Sequence, residues 1–279
     1  TVYGTGAIWR RGLARDAEPQ LVREEETTWR ARPDWSLDGK RIVYASYAGR
    51  NWHQLWLTTA AANGYPLALT YGEHDATGPR WSADAPRIAY LSNSTGDLQI
   101  HVLELPGARD RPLSISERKY RKPMGQLVLH VSTASGADLP SRISIRASDG
   151  RSYAPADAWI RADDQLDRSF APYEIQYFHS TGHSSLPLPA GPAQITVWRG
   201  LETAVSHSEV TITAGQTTTA DVRLEPLPLP EHWRDSWHSA DVHVHMNYAG
   251  TYRDTPERLV RQAEAEDLDV VFDLIVNKE

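Results

Sequence analysis

An internal repeat constrains this chain more than any other feature of it. The run Arg32-Pro33-Asp34-Trp35-Ser36-Leu37-Asp38-Gly39-Lys40-Arg41-Ile42-Val43-Tyr44-Ala45-Ser46 returns as Gly78-Pro79-Arg80-Trp81-Ser82-Ala83-Asp84-Ala85-Pro86-Arg87-Ile88-Ala89-Tyr90-Leu91-Ser92, at a constant offset of 46 residues. A spacing of roughly 40 to 50 residues with short alternating strands is a propeller-blade period, one four-stranded sheet per repeat. Each copy continues into a second strand, Gln54 to Leu57 in the first and Leu98 to Val102 in the second, and Leu67 to Thr70 closes the first blade. Asp38-Gly39 reads as a hairpin turn, because glycine accepts positive φ without steric cost. The second copy has Ala85-Pro86 there, so the same turn type does not carry over. Trp35 and Trp81 are expected at equivalent positions, packed in the core between blades. Residues 7 to 24, with Ile8-Trp9 and Pro19-Gln20-Leu21, supply outer strands of a preceding blade whose beginning is missing.

The chain has 279 residues, enough for two or three domains of roughly 100 to 200 residues each. Residues 1–107 form the partial propeller, and 108–123, with Pro112 and Pro123 among many charges, suit a linker. From residue 124 the pattern changes. Leu127, Leu129 and Val131 alternate with Val128 and His130; Ile143 and Ile145 flank Ser144; Ile195 and Val197 flank Thr196; Val210 and Ile212 flank Thr211. Short alternating strands bounded by turn residues predict an antiparallel β-sandwich over 124–225. His179 and His183 sit around a predicted Thr181-Gly182 turn, where the helical geometry that would bring two rings four apart together is lacking. Pro226, Pro228 and Pro230 then stiffen a connector over 226–238.

The chemistry is concentrated in 239–279. Asp241-Val242-His243-Val244-His245 reads as a strand with the two valines on one face and Asp241, His243 and His245 on the other. Imidazoles at alternate positions can share one cation, and Asp241 is placed to hold a ring nitrogen or the strand end. Thr255-Pro256-Glu257 starts a helix, with Thr255 or Asp254 as cap and Pro256 at the first helical position. Leu259, Val260, Ala263 and Leu268 mark its apolar face, and Asp269 to Val276 is the next strand, completing a β-α-β unit.

The 29 basic against 36 acidic residues, formally -7, provide no cationic field for phosphates, which argues against nucleic acid as a partner. With no cysteine, any metal rests on His, Asp or Glu. No apolar run approaches a membrane span. No leader opens the chain, and a periplasmic or secreted location is the expectation.

The repeats resemble the TolB-type propeller, on Pro33-x-Trp35-Ser36-x-Asp38-Gly39-Lys40 and the following strand. Leu186 to Glu202 and Glu209 to Leu224 resemble the transthyretin-like or carboxypeptidase-regulatory-like sandwich. Asp241-x-His243-x-His245, the capped helix and Leu268-Asp269-Val270-Val271 resemble the start of a PHP (polymerase and histidinol phosphatase) domain. Together the three are similar to the CehA/McbA, or carbaryl-hydrolase-like, metallohydrolases. The fold implied is mainly β: partial TolB-like blades, an antiparallel sandwich, then the β-α-β start of an α/β barrel. The function implied is hydrolysis of a small-molecule substrate by metal-activated water, with His243 and His245 as ligands to Zn, Mn or Fe and Asp241 behind them. Where PHP domains commonly carry Thr-Asp-His after the second strand, this chain has Asn277-Lys278-Glu279, making Asn277 and Glu279 the local oxygen donors. Most of the barrel is absent, so this chain alone is expected to bind metal weakly at the pair and to be inactive. The rival reading is a propeller and sandwich scaffold holding a protein or peptide partner.

Overall fold

A computed structural model describes residues 6–25, 31–48, 51–61, 64–161, 176–230, 237–247 and 252–274. The chain is mainly β, and it divides into two compact units. One holds the repeats up to Ser116 together with His245–Asp254; the other holds Glu117–Val244 and Thr255–Leu274.

In the first unit β1 (Gly6–Arg10) pairs antiparallel with β2 (Gln20–Glu25). The first repeat folds as β3 (Asp34–Trp35), β4 (Arg41–Ser46), β5 (Gln54–Thr59) and β6 (Leu67–Ala68), and the second as β7 (Ala76–Trp81), β8 (Arg87–Ser92), β9 (Gln99–Glu104) and β10 (Arg109–Pro112). Each repeat is one four-stranded antiparallel sheet with its strands in chain order. The fourth strand of the second sheet falls inside the stretch expected to be linker. Arg109–Pro112 pairs with β9 there, and the prolines that suggested a linker are compatible with an edge strand.

The tryptophans are equivalent in register: Trp35 lies opposite Ile42, and Trp81 opposite Ile88. Their burial differs. Trp81 packs on a cluster that takes Val43 and Leu55 from the first sheet and Ile88 and Leu103 from the second. The neighbouring cluster between β1–β2 and the first sheet takes Ile8, Val22, Ile42 and Tyr44, with Trp56 against it, and leaves Trp35 47% exposed. The core role expected for Trp35 is therefore not realised, because among the described residues its sheet meets two strands on that side.

The two hairpins keep one side-chain device despite the change at Gly39. Ser36 Oγ donates to Asp38 Oδ1, Ser82 Oγ to Asp84 Oδ1, and Arg41 and Arg87 each reach the same aspartate at 3.3 Å. Gly39 has φ of +66° and its N–H closes on Ser36 O at 2.8 Å, whereas in the second copy Arg87 N–H closes on Ala85 O at 2.7 Å. The sheets are also joined by buried polar groups. Asp75 Oδ1 accepts from the His53 backbone N–H at 2.9 Å and lies 3.2 Å from His53 Nδ1, while Asp75 N–H donates to Asn93 Oδ1 at 2.8 Å.

The second unit is built on the expected sandwich. One sheet has the order β14 (His183–Pro189), β11 (Met124–Ser132), β17 (Thr217–Arg223); the other has β13 (Phe178–Ser180), β12 (Ser141–Arg146), β15 (Gly191–Trp198), β16 (Ser206–Ile212). Leu127, Leu129, Val131, Leu186 and Leu188 of the first sheet close on Ile143, Ile145, Phe178, Ile195 and Val197 of the second in one core. The alternation of β11, buried at every second residue, is the period-two pattern of a sheet with one face inward. The pairing is antiparallel except for β11 with β17, which is parallel. The Ala214-Gly215-Gln216 turn, with Gly215 at φ of +71°, passes the chain from β16 in one sheet to β17 in the other.

A β-α-β segment completes this unit. β18 (Ala240–Val244) lies parallel to β19 (Val270–Asp273), with α1 (Pro256–Ala265) between them in sequence. Thr255 is the N-cap, its side chain accepting from Arg258 N–H at 3.4 Å, and Pro256 occupies the first turn, where its missing N–H costs nothing. The helix buries Ala263 and Ala265, but Val260, expected on the apolar face, is 58% exposed.

Candidate metal centre

The proposed ligands stand at the end of β18. His243 is exposed and His245 half-buried, directly after the last strand residue, Val244. The register shows why strict alternation fails in this strand. Asp241 pairs with Val271 and Val244 with Asp273, so three steps on β18 match two on β19, and a bulge covers Val242 and His243. Val242, placed by strict alternation on the face opposite the histidines, is 66% exposed. The Asp241 carboxylate accepts from the His243 backbone N–H at 3.0 Å. Of the two roles open to Asp241, the observed contact is the one that fixes the strand end. Asn277 and Glu279 lie outside the described residues.

Beyond the histidines, Asn247 and Asp254 are buried and joined to each other. Asn247 Oδ1 accepts from Asp254 N–H at 2.8 Å, and Arg253 N–H donates to Gly96 O at 2.9 Å. Asn247 was not singled out from sequence; its signal was its place two residues past His245, where a buried amide can close the loop.

A denser polar cluster joins α1 to the sandwich. Glu266 Oε1 lies 2.6 Å from Arg142 Nε and 2.7 Å from His179 Nε2, and Asp267 pairs with Arg199. Burial pulls the Glu266 carboxyl upward, but the His179 hydrogen bond and the Arg142 charge outweigh it and hold the group below its ordinary value. Arg142, His179 and Glu266 border a cleft of ≈ 610 Å³ whose walls include Trp198, Asp241 and Leu259 but neither His243 nor His245. His179 and His183 are thus separated by function as well as by sheet: His179 serves Glu266, and His183 Nε2 lies 3.0 Å from Asp138 Oδ1.

No family model matches this chain. A curated relative, the uncharacterized peptidase YuxL of Bacillus subtilis (strain 168), is 26% identical over 140 residues, which cover 45% of this chain and 20% of that protein. The chain therefore spans about a fifth of the length of that relative. Among solved structures, TolB from Acinetobacter baumannii is 13% identical with a TM-score of 0.30, covering 70% of this chain and 46% of that one. A puromycin-hydrolyzing peptidase of Mycobacterium tuberculosis is 14% identical with a TM-score of 0.31, covering 75% of this chain and 30% of that one. Likenesses of this size carry no argument about architecture. The fold rests on the strand pairings, and the site on its own residues.

Proposed function

We propose that this chain contributes the opening strand, helix and second strand of a PHP-type metal-dependent hydrolase of the CehA/McbA kind, with His243 and His245 as its first two ligands. The observation that carries the reading is the parallel pairing of β18 and β19 around a capped helix, with both histidines at the carboxyl end of β18. That is the end at which barrels of parallel strands place their chemistry. Neutral imidazoles suit zinc, manganese or iron, so the donor chemistry of the pair fits a divalent cation. When bound, such a cation supplies Lewis acidity that polarises the scissile group and acidifies water. The chain's own contribution is positional: Asp241 ties the His243 N–H across the bulge, and Asn247 fixes the loop that follows His245. Asn277 and Glu279 are the nearby oxygen donors in sequence. The peptidase name of the relative agrees with hydrolysis as a reaction class. No helix of the described residues is long and apolar enough to cross a membrane. A periplasmic or secreted location goes with this reading and is checked by cell fractionation.

Metal analysis of the natural product that carries this chain is the direct test. Stoichiometric zinc, manganese or iron that is lost in His243→Ala, His245→Ala, together with hydrolysis lost in the same variant, is the expected result. Purification without metal when both histidines are intact would sink the reading. A second reading, a scaffold that holds a protein or peptide at the blades, is favoured by the exposure of Trp35, Tyr65 and Leu67 on the first repeat. It predicts that the variant retains every measurable activity of the parent.

A further inference from the structure

The sandwich carries a second convergence of ligand-type side chains, formed by pairing rather than by sequence spacing. In the antiparallel register of β11 and β14, His130 lies opposite His183, and their rings stack with centroids 4.4 Å apart and planes 5° from parallel. Asp138 reaches the same spot from the turn that follows β11. Its Oδ1 lies 2.9 Å from His130 Nε2 and 3.0 Å from His183 Nε2, and the three donor atoms all fall within 4.8 Å of one another. The backbone is shaped for this approach. Gly182 has φ of +116°, and a Cβ there would lie 3.0 Å from Asp138 Cβ and 3.0 Å from Leu139 N, so only glycine lets the Asp138 turn close against the start of β14.

Asp221, opposite His130 in the parallel register of β11 with β17, places Oδ1 3.5 Å from His130 Nδ1. His130 therefore has a carboxylate at each nitrogen, while a neutral imidazole has one N–H. With the proton on Nδ1 towards Asp221, the Nε2 lone pair points at the Asp138 carboxylate. In that tautomer a cation between Nε2 and Asp138 gives the carboxylate–histidine–metal arrangement that orients metal-bound imidazoles.

We propose that His130, His183 and Asp138 form a binding site for a divalent transition-metal cation on the sandwich, separate from the His243 and His245 pair, with Asp221 as a positioning residue behind His130. Two imidazoles and one carboxylate are a zinc-type donor set and a poor one for calcium or magnesium, which favour oxygen. Side-chain exposures of 27% for His130, 54% for Asp138 and 60% for His183 leave the approach open. Tetrahedral zinc with bonds of about 2.0 to 2.1 Å sets ligand atoms about 3.3 to 3.4 Å apart, so Asp138 has to withdraw by about 0.3 to 0.5 Å. The rings also have to tilt out of their parallel stack, because each lone pair lies in its own ring plane.

The test is zinc titration calorimetry on the full chain carrying His243→Ala, His245→Ala, so that the pair of the proposed function is silent. One zinc per chain is expected, lost when His130→Gln and His183→Gln are added, and weakened about tenfold by Asp221→Asn. Nitrogen-15 spectra of the imidazoles, recorded with and without zinc on the chain with His130 and His183 intact, provide a readout that needs neither glutamine variant to fold. They are expected to show both Nε2 signals shifting on zinc addition, with the His130 proton on Nδ1. Zinc binding that survives removal of His130 and His183, or imidazole signals unmoved by zinc, overturns the proposal.

Discussion

Glu266, the residue that caps the carboxyl end of α1, places Oε1 2.7 Å from Nε2 of His179 on the far side of the sandwich core from β11. The contact joins residues 87 apart in sequence. Together with Arg142 it fixes where the β-α-β segment leaves the sandwich. It also gives a pH signature. A carboxyl held below its ordinary 4.5 contributes stability that is present above that value and is lost as pH falls through the depressed one. Glu266→Gln should lower the stability of the second unit by about 1.5 to 3 kcal/mol at neutral pH, the range for hydrogen bonds to charged groups. The difference from the parent should shrink on acidification below 4.5. Hydrogen exchange of the β12 and β15 amides at both pH values measures it, and a pH-independent difference would contradict the assignment.

The two hairpins should both lose stability to reverse exchanges, for different reasons. Gly39→Ala puts a Cβ at a left-handed φ and should cost about 1 to 2 kcal/mol through the backbone, since nothing lies within 4 Å of the added atom. Ala85→Gly should cost about 0.4 to 1 kcal/mol, by enlarging the unfolded ensemble rather than by straining the fold. Urea unfolding of the two variants followed by tryptophan fluorescence compares them. A stabilising Gly39→Ala would show that the turn is not the one described.

Asp75 is the polar joint between the two repeats and is 1% exposed. Asp75→Ala removes the carboxylate that accepts from the His53 backbone N–H, while the backbone N–H bond to Asn93 persists, and a loss of about 1 to 3 kcal/mol is expected, as for removing one partner of a buried hydrogen bond. His53 packs at a tilt on Tyr47 with ring centroids 3.8 Å apart, so the change should also be visible in the near-ultraviolet circular dichroism of that tyrosine. An unchanged unfolding midpoint would mean that the repeats are held by their apolar cluster alone.

The sandwich core and the exposed β18 should differ sharply under truncation. Leu129→Ala, at a fully buried position facing the second sheet, should cost about 2 to 5 kcal/mol. Val242→Ala, on the bulged and solvent-facing part of β18, should stay within about 0.5 kcal/mol. Denaturant midpoints decide, and a Val242→Ala loss as large as that of Leu129→Ala would contradict the solvent-facing bulge.

Local regularities were legible in the sequence, because they depend on neighbours along the chain. The 46-residue offset fixed two equivalent four-stranded repeats and the matched register of Trp35 and Trp81. The alternation around Leu127, Ile143 and Ile195 marked the inward faces of the sandwich, and Thr255-Pro256 marked the start of α1. Tertiary structure alone decided what depends on who lies alongside. Trp35 and Trp81 share a sequence context, yet only Trp81 has a full sheet to pack against. The bulge between Asp241 and Val244 arises from pairing with β19, and a strand read by itself has no register to slip. His130, Asp138, His183 and Asp221 are scattered over 92 residues, from 130 to 221, and no spacing rule links them. They meet because β14 and β17 flank β11, an adjacency that comes from closing two sheets over one apolar core and that no local pattern encodes.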